Sequence, residues 1–300
     1  VLLAIPSIQT EQRRKIISKL EKIQMAVRTV PSFHELISDQ KKLTDIQNLS
    51  LDDLLPRARF AKDSIDQAEG KTLLISGAGG SIGSEIVRQL LDSHPKYIIL
   101  FDISELNLFN VERECLAIKL AQQLNTEVIP ILGDIRDVSS LRFLFKKFKI
   151  DTVYHAAAYK HVPLVEDINN ITKACENNVI GTFNLASVSI ESQVKSFVMI
   201  STDKAVRPSN VMGASKRMAE IAIQSLNTKN SNTKFSMVRF GNVINSSGSV
   251  IPLFLDQISK GGPLTVTDKQ VTRYFMTIPE ASNLELQAAE MANGGEVFIL

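Results

Sequence analysis

The string Gly77-Ala78-Gly79-Gly80-Ser81-Ile82-Gly83 narrows what this chain can become more than any other feature in it. It follows an apolar run, Thr72-Leu73-Leu74-Ile75-Ser76, and precedes Ser84-Glu85-Ile86-Val87-Arg88-Gln89-Leu90-Leu91, whose apolar positions recur with helical period. A strand, a glycine turn and a helix in that order predict the first βαβ unit of a dinucleotide-binding sheet. Gly77 stands where the tight turn falls, Gly80 where backbone must approach a pyrophosphate, and Gly83 where the helix packs on the strand; Ser81 and Ile82 bring amides of the helix start to the anion. A glycine pattern alone also describes a flexible turn, so the acid that follows matters. Asp102 closes the next apolar run, nineteen residues beyond Gly83, where a carboxylate accepts hydrogen bonds from the adenosine ribose or simply caps the strand end. It would repel a 2′-phosphate, and Ile103-Ser104-Glu105-Leu106 supplies no arginine to bind one, so the expected cofactor is NAD rather than NADP. Asp134, with Ile135 beside it in Leu132-Gly133-Asp134-Ile135-Arg136-Asp137, is placed to accept from the adenine amino group or to cap a helix.

Beyond Lys71 the rhythm is regular. Apolar runs at 72–76, 97–101, 127–132, 151–156 and 195–200 alternate with stretches long enough for helices, and runs at 235–240 and 295–300 extend the series. Parallel strands buried on both faces should be apolar throughout, as 97–101 and 197–200 are. The expected class is α/β: a Rossmann-type doubly wound parallel sheet over 71–300 with a small C-terminal substrate-binding region. Residues 1–60 read as the end of a small α/β domain or an N-terminal extension, and 61–70 as a linker. Both ends of the chain lie in apolar runs, 1–5 and 296–300, which reads as a fragment of a longer protein.

Composition removes several alternatives. The 34 basic and 32 acidic side chains leave a net charge of +2, too little to hold a polyanion, and aromatics make up only 6%, so nucleic acid is not expected as a partner. Cys115 and Cys175 are far apart with no metal-ligand spacing, and read as core thiols of a reducing compartment. No apolar stretch reaches the ~18 residues of a membrane span.

Two further strings carry a resemblance: His155-Ala156-Ala157-Ala158-Tyr159-Lys160-His161-Val162-Pro163-Leu164 and Ser201-Thr202-Asp203-Lys204-Ala205-Val206. With Asn210-Val211-Met212-Gly213-Ala214-Ser215-Lys216-Arg217 and 272–280, they make residues 71–300 resemble the extended short-chain dehydrogenase/reductases, and more narrowly the polysaccharide-biosynthesis UDP-N-acetylglucosamine 4,6-dehydratases. The superfamily usually carries a tyrosine four residues before its active-site lysine, and Met212 stands there, paired with Lys216. A thioether has no proton to transfer; the methionine resembles the long membrane-associated branch, whose members carry an N-terminal membrane region and a second Rossmann-like domain.

The resemblance implies a redox-neutral reaction: hydride leaves sugar C4 for NAD, water is eliminated across C5 and C6, and the hydride returns to C6. Elimination needs an acid for the departing C6 hydroxyl and a base at C5. Following the family pattern, Asp203 is the acid and Lys204 the base; the one must hold a proton and the other lose one, as burial in an apolar, substrate-filled pocket would favour. Thr202 is implied at the C4 hydroxyl and Lys216 at the nicotinamide ribose, with Ala156, Ala157 and Ala158 against the cofactor. The base for C4 oxidation stays open among Asp203, Lys216 and a water held by Thr202. Lys160, His161 and Asn242 are implied at the sugar, and Arg273 at the diphosphate, where its planar fork pairs bidentately. His155 lies near the cofactor or is a satisfied core histidine, and Asn178 is expected to steady the active-site helix. No metal is expected. The UDP-sugar is the expected partner, with a homo-oligomer, and membrane attachment only through a region outside this chain, which puts the domain on the cytoplasmic side of a bacterial inner membrane. A UDP-sugar 4-epimerase and a catalytically silent NAD-binding domain are the competing readings.

Overall fold

A computed structural model describes residues 68–229, 232–244, 246, 250–266 and 268–300, and scattered positions among the first sixty. The chain divides into two compact units, 1–60 and 61–300. Of the first, three short strands are described: β1 (Leu2–Leu3), β2 (Arg28–Thr29) and β3 (Gln47–Asn48). β2 pairs β1 in parallel and β3 antiparallel. An Asp-rich leucine stretch, 51–55, and most of the linker, 61–67, lie outside the described residues.

The second unit is built on a seven-stranded sheet in which every pairing is parallel. Its strands are β4 (Thr72–Ser76), β5 (Tyr97–Asp102), β6 (Glu127–Leu132), β7 (Thr152–His155), β8 (Ser196–Thr202), β9 (Lys234–Phe240) and β12 (Val297–Ile299). Each of the seven apolar runs read from the sequence supplies one of them. The central strands are buried on both faces, so successive side chains enter opposite cores. Leu73, Ile75, Ile98 and Leu100 meet the helices Ser81–Leu91, Glu105–Gln122 and Ile278–Met291. Leu74, Ile99, Phe101 and Val153 meet Val138–Lys147, Thr182–Glu191 and Val211–Lys229. Edge strand β6 is only partly buried and tolerates Pro130, which has no N–H to give a further strand. Cys115 is buried in the first core, but Cys175 is only half-buried, so the core-thiol reading holds for one cysteine.

The strand order β12-β9-β8-β7-β4-β5-β6 runs outward from β4 in one direction and, after β6, crosses back to continue from β7 in the other. Loops after β4 and β7 therefore diverge and leave a crevice at the carboxyl ends of those strands, where open α/β sheets bind ligands. A separate two-stranded ribbon, β10 (Asn242–Val243) with β11 (Phe275–Met276), stands beyond β9. Helix Ile278–Met291 follows it, opened by a capping box between Thr277 and Glu280.

Candidate active site

The glycine turn sits in that crevice. Gly77 has φ 71°, in the left-handed region, and a Cβ on it would stand 2.6 Å from the Ala157 nitrogen. The turn after β4 thus lies directly on the Ala156-Ala157-Ala158 segment after β7. Gly83 is needed for packing: a Cβ there would stand 2.1 Å from the Gly77 carbonyl oxygen. Gly80 is the N-cap of helix Ser81–Leu91, so no side chain closes the helix start, and no acid occupies its first turn. Ser81 and Ile82 follow it as the first helical residues, with Ile82 packed partly into the core. Gly79, which the sequence pattern left without a role, is held against helix Glu105–Gln122: a Cβ on it would stand 2.5 Å from Asn107 Cβ.

Asp102 is buried at the end of β5. Its Oδ2 accepts from the Gly79 N–H at 2.9 Å and its Oδ1 from the Ser104 N–H at 2.9 Å. The carboxylate binds the glycine turn and faces the same cleft as Gly77, Asp134 and Ala157. Asp134 is engaged more heavily than expected: Arg136 Nε donates to its two oxygens at 3.0 and 2.9 Å, which with burial opposing holds the carboxyl below its ordinary range. Ile135 lines the cleft but sends its side chain into the second core, so only its backbone is left to meet a cofactor.

His155 settles as a core histidine. It is fully buried, with Nδ1 2.7 Å from Ser76 Oγ and Nε2 2.8 Å from Thr182 Oγ1. Because the Thr182 hydroxyl donates to the Asn178 carbonyl at 2.7 Å, it must accept from Nε2–H, which leaves Nδ1 to accept from Ser76. Burial, with the charge of Lys216 beside it, pushes the imidazole down to about 3, so the ring is neutral at physiological pH. Its place is to join the ends of β4 and β7 to helix Thr182–Glu191.

A π-helical turn, Glu176–Gly181, interrupts the run into that helix and turns Asn178 inward. Its Oδ1 accepts from the Tyr159 N–H at 2.8 Å, and its Nδ2 donates to the Tyr159 carbonyl at 2.9 Å and to Ser215 Oγ at 3.1 Å. Asn178 therefore fastens the loop after β7 to helix Val211–Lys229, through one side chain as well as backbone. Lys160 and His161, further along that loop, are exposed.

Helix Val211–Lys229 presents Lys216 to the end of β8, where its Nζ donates to the Ile200 carbonyl at 2.8 Å. Burial pulls this ammonium down to about 8, against the charges of Glu220 and Glu285. Met212, one turn earlier, is buried in a small apolar cluster with Val165 and Ala174. Its thioether serves packing, which explains how the position accommodates a group without a proton.

At the end of β8, Thr202 caps a 3-10 turn, Asp203–Ala205. The Thr202 hydroxyl donates to Asp203 Oδ1 at 3.0 Å, and Lys204 Nζ donates to the same oxygen at 3.0 Å and to Asn242 Oδ1 at 3.1 Å. This brings Asn242, read from a separate string, onto the Thr202-Asp203-Lys204 turn. The expected apolar burial is absent: the side chains of Asp203 and Lys204 are 50% and 33% exposed, so only a bound substrate could desolvate them. Gly241 leaves room beside Asp203 and lies against the Tyr274 carbonyl. Arg273 is exposed, and its Nη1 donates to the neighbouring Thr272 carbonyl at 2.9 Å. Ser246 is buried and donates to the Val243 carbonyl at 3.0 Å; residues 247–249 lie outside the described residues.

Sequence reasoning missed Glu220 and Arg239, whose carboxylate and guanidinium pair in the interior (Arg239 Nε to Glu220 Oε1, 2.8 Å). Their signal was an arginine inside a largely buried strand and a glutamate on the buried stripe of a helix. Among the described residues no helix is long and apolar enough to cross a membrane.

Comparison with known proteins places the chain in a family. The chain is 45% identical over its whole length to the capsular polysaccharide biosynthesis protein CapD of Staphylococcus aureus, and spans half the length of that protein. It is 37% identical to the UDP-glucose 4-epimerase of Rickettsia canadensis, over 76% of this chain and 65% of the epimerase. The dTDP-glucose 4,6-dehydratase DesIV from Streptomyces venezuelae, a double mutant solved with NAD bound, shares the fold at a TM-score of 0.64 and 24% identity, over 76% of this chain and 74% of that one. The sequence pattern described as "Polysaccharide biosynthesis protein" matches residues 73–300, the stretch that forms the sheet, the crevice and the Thr202-Asp203-Lys204 turn, and the chain belongs to that family.

Proposed function

We propose that this chain is the catalytic part of an NAD-dependent 4,6-dehydratase acting on UDP-N-acetylglucosamine, making a 4-keto-6-deoxy sugar for surface polysaccharide or glycoprotein. The observation that carries the reading is the contact of Lys204 with both Asp203 and Asn242 at the carboxyl edge of the sheet. It supports the reading because an acid and a base stand side by side there, as elimination across C5 and C6 requires.

The crevice fits NAD. The φ of Gly77, the uncapped helix start at Gly80 and the cradle between the turn and Ala157 leave room for a pyrophosphate, and Asp102 offers a carboxylate to the ribose. Held by the Gly77–Gly83 turn, Asp102 and the Ala156–Ala158 segment, NAD would supply the hydride chemistry of the reaction. The protein supplies the proton movements. The C4 hydroxyl donates to Thr202 Oγ as the Thr202 proton passes along its hydrogen bond to Asp203. Asp203, now protonated, gives that proton to the C6 hydroxyl, which departs as water. Lys204, in its amine form, takes the C5 proton and restores one to C5 when hydride reaches C6. Lys216 stabilises the reacting ring through its charge, and Arg273 pairs with the diphosphate. We extend the reading to a full-length homo-oligomer anchored in a bacterial inner membrane by a region outside this chain, with this domain on the cytoplasmic side.

An epimerase needs a base at C4 and none at C5, so it has no use for the Asp203–Lys204 pair; its support is the similarity to the Rickettsia enzyme. Proton NMR of UDP-N-acetylglucosamine with the protein and NAD in deuterated water separates the readings. Dehydration yields a new 6-methyl signal and deuterium at C5. Conversion to the galacto isomer would replace the dehydratase by an epimerase, and an unchanged spectrum despite bound NAD would leave a silent domain or a need for the rest of a longer chain, which repeating the assay with a full-length protein separates.

A further inference from the structure

Glu220 is a fully buried carboxylate four residues, one helical turn, beyond Lys216. Among the described residues its polar contacts run to β8, to β9 and along its own helix, the elements that lead to Thr202, to Asn242 and to Lys216. Ser201 Oγ, at the end of β8, donates to its Oε1 at 2.6 Å. Arg239, on β9, donates from Nε to Oε1 at 2.8 Å and from Nη2 to Oε2 at 2.6 Å. Arg217, on its own helix, donates to Oε2 at 2.9 Å. Ser201 and Arg239 are direct partners in the β8–β9 register, so one carboxylate spans the paired strand ends.

Three residues beyond Ser201 comes Lys204, and three beyond Arg239 comes Asn242, and these two touch at 3.1 Å. The contacts therefore close a ring: Glu220, Ser201, the turn to Lys204, Asn242, back along β9 to Arg239, and Glu220 again. A second tie presses the same helix onto the turn, since a Cβ on Gly213 would stand 2.2 Å from the Lys204 carbonyl oxygen. Glu220 and Ser201 are buried and Arg239 is partly buried, none of the three lines the cleft at Gly77, Asp102 and Asp134, and a hydrophobic filling would hold the fold at lower desolvation cost. Charge-assisted, bidentate contacts add instead a fixed direction.

We propose that Glu220 is a positioning residue, which through Ser201 and Arg239 holds the two strand ends so that Lys204 rests on Asn242 and faces the sugar. The proposal rests on the dehydratase reading for its consequence in turnover, but the geometry it asserts is testable without the reaction. Competitive reductive methylation of the folded protein, read by mass spectrometry, reports how free each lysine amine is. In Glu220→Gln the labelling of Lys204 should rise by about threefold or more, as expected on loss of a hydrogen bond. Lys195, 72% exposed and paired with Asp151 far from the ring, serves as the control and should not change. Deuterium entry at C5 should fall by about 10- to 100-fold, the cost of a misplaced base, while NAD affinity stays within about twofold.

Ser201→Ala removes one neutral donor and leaves the ion pairs intact, so it keeps the test available if Glu220→Gln does not fold; the same changes should appear at smaller size. Unchanged labelling of Lys204 in a folded variant would overturn the proposal. A rise in labelling with no C5 exchange even in the parent protein would leave the ring standing and refute the dehydratase reading instead.

Discussion

Glu285 has no place in the chemistry, and its surroundings make it a measurable liability. It is fully buried in helix Ile278–Met291, and neither carboxyl oxygen has a hydrogen-bond partner among the described residues; the hydroxyls of Ser236 and Ser282 are likewise buried without one. Burial pushes the acid well above its ordinary range, with Lys216 pulling the other way. The folded protein therefore holds a proton that the unfolded chain releases from about pH 4.5 upward. Stability from this group is greatest below that pH and falls as pH rises toward the folded value, by about 1.4 kcal/mol for each pH unit in the window. Glu285→Gln keeps the shape and removes the titration. Its melting temperature should match the parent near pH 4.5 and exceed it increasingly at pH 5.5 and 6.5, by about 2 to 4 °C per kcal/mol for a unit of this size. Glu285→Leu also removes the unsatisfied oxygens, which cost about 1–3 kcal/mol, and should be the more stable at neutral pH. Thermal melts of the three proteins across this pH range decide the matter. Parallel curves for parent and Glu285→Gln would refute the reasoning and show that Glu285 is ionised and solvated.

Three further outcomes follow from the site. Lys204→Ala should lower deuterium entry at C5 by about 10²- to 10⁴-fold in the NMR assay while NAD still binds. Gly83→Ala forces a methyl group onto the Gly77 carbonyl oxygen and should abolish detectable NAD binding in calorimetry, or prevent folding, whereas Gly70→Ala, where a Cβ meets nothing within 4 Å, should leave NAD binding unchanged. Met212→Tyr should not create a working proton acceptor: an extra ring in the Val165–Ala174 cluster is expected to cost about 1–3 kcal/mol in a urea melt, with no gain in turnover.

Sequence periodicity was enough for the parallel sheet because local burial and fold agree: strands buried on both faces must be apolar at every position, and seven such runs are legible without coordinates. The glycine turn was legible for the same reason, since only glycine fits φ 71° at residue 77 and the contact at residue 83. Side-chain roles were less so. Asp102 was read at the ribose and Asp134 at the adenine, yet in the structure one binds the glycine turn and the other is taken by Arg136. Met212 could be read as unable to move a proton, but not as part of an apolar cluster with residues up to 47 positions away. His155 was open between cofactor and core until Ser76 and Thr182 closed on it from two other elements. What the sequence determined by itself is whatever neighbours along the chain enforce: strand, turn and helix, and their succession along the chain. The partner of each polar group was decided only by tertiary structure, because Ser201, Glu220 and Arg239 meet across 38 residues of chain, and no local pattern encodes where a buried charge finds its counterpart.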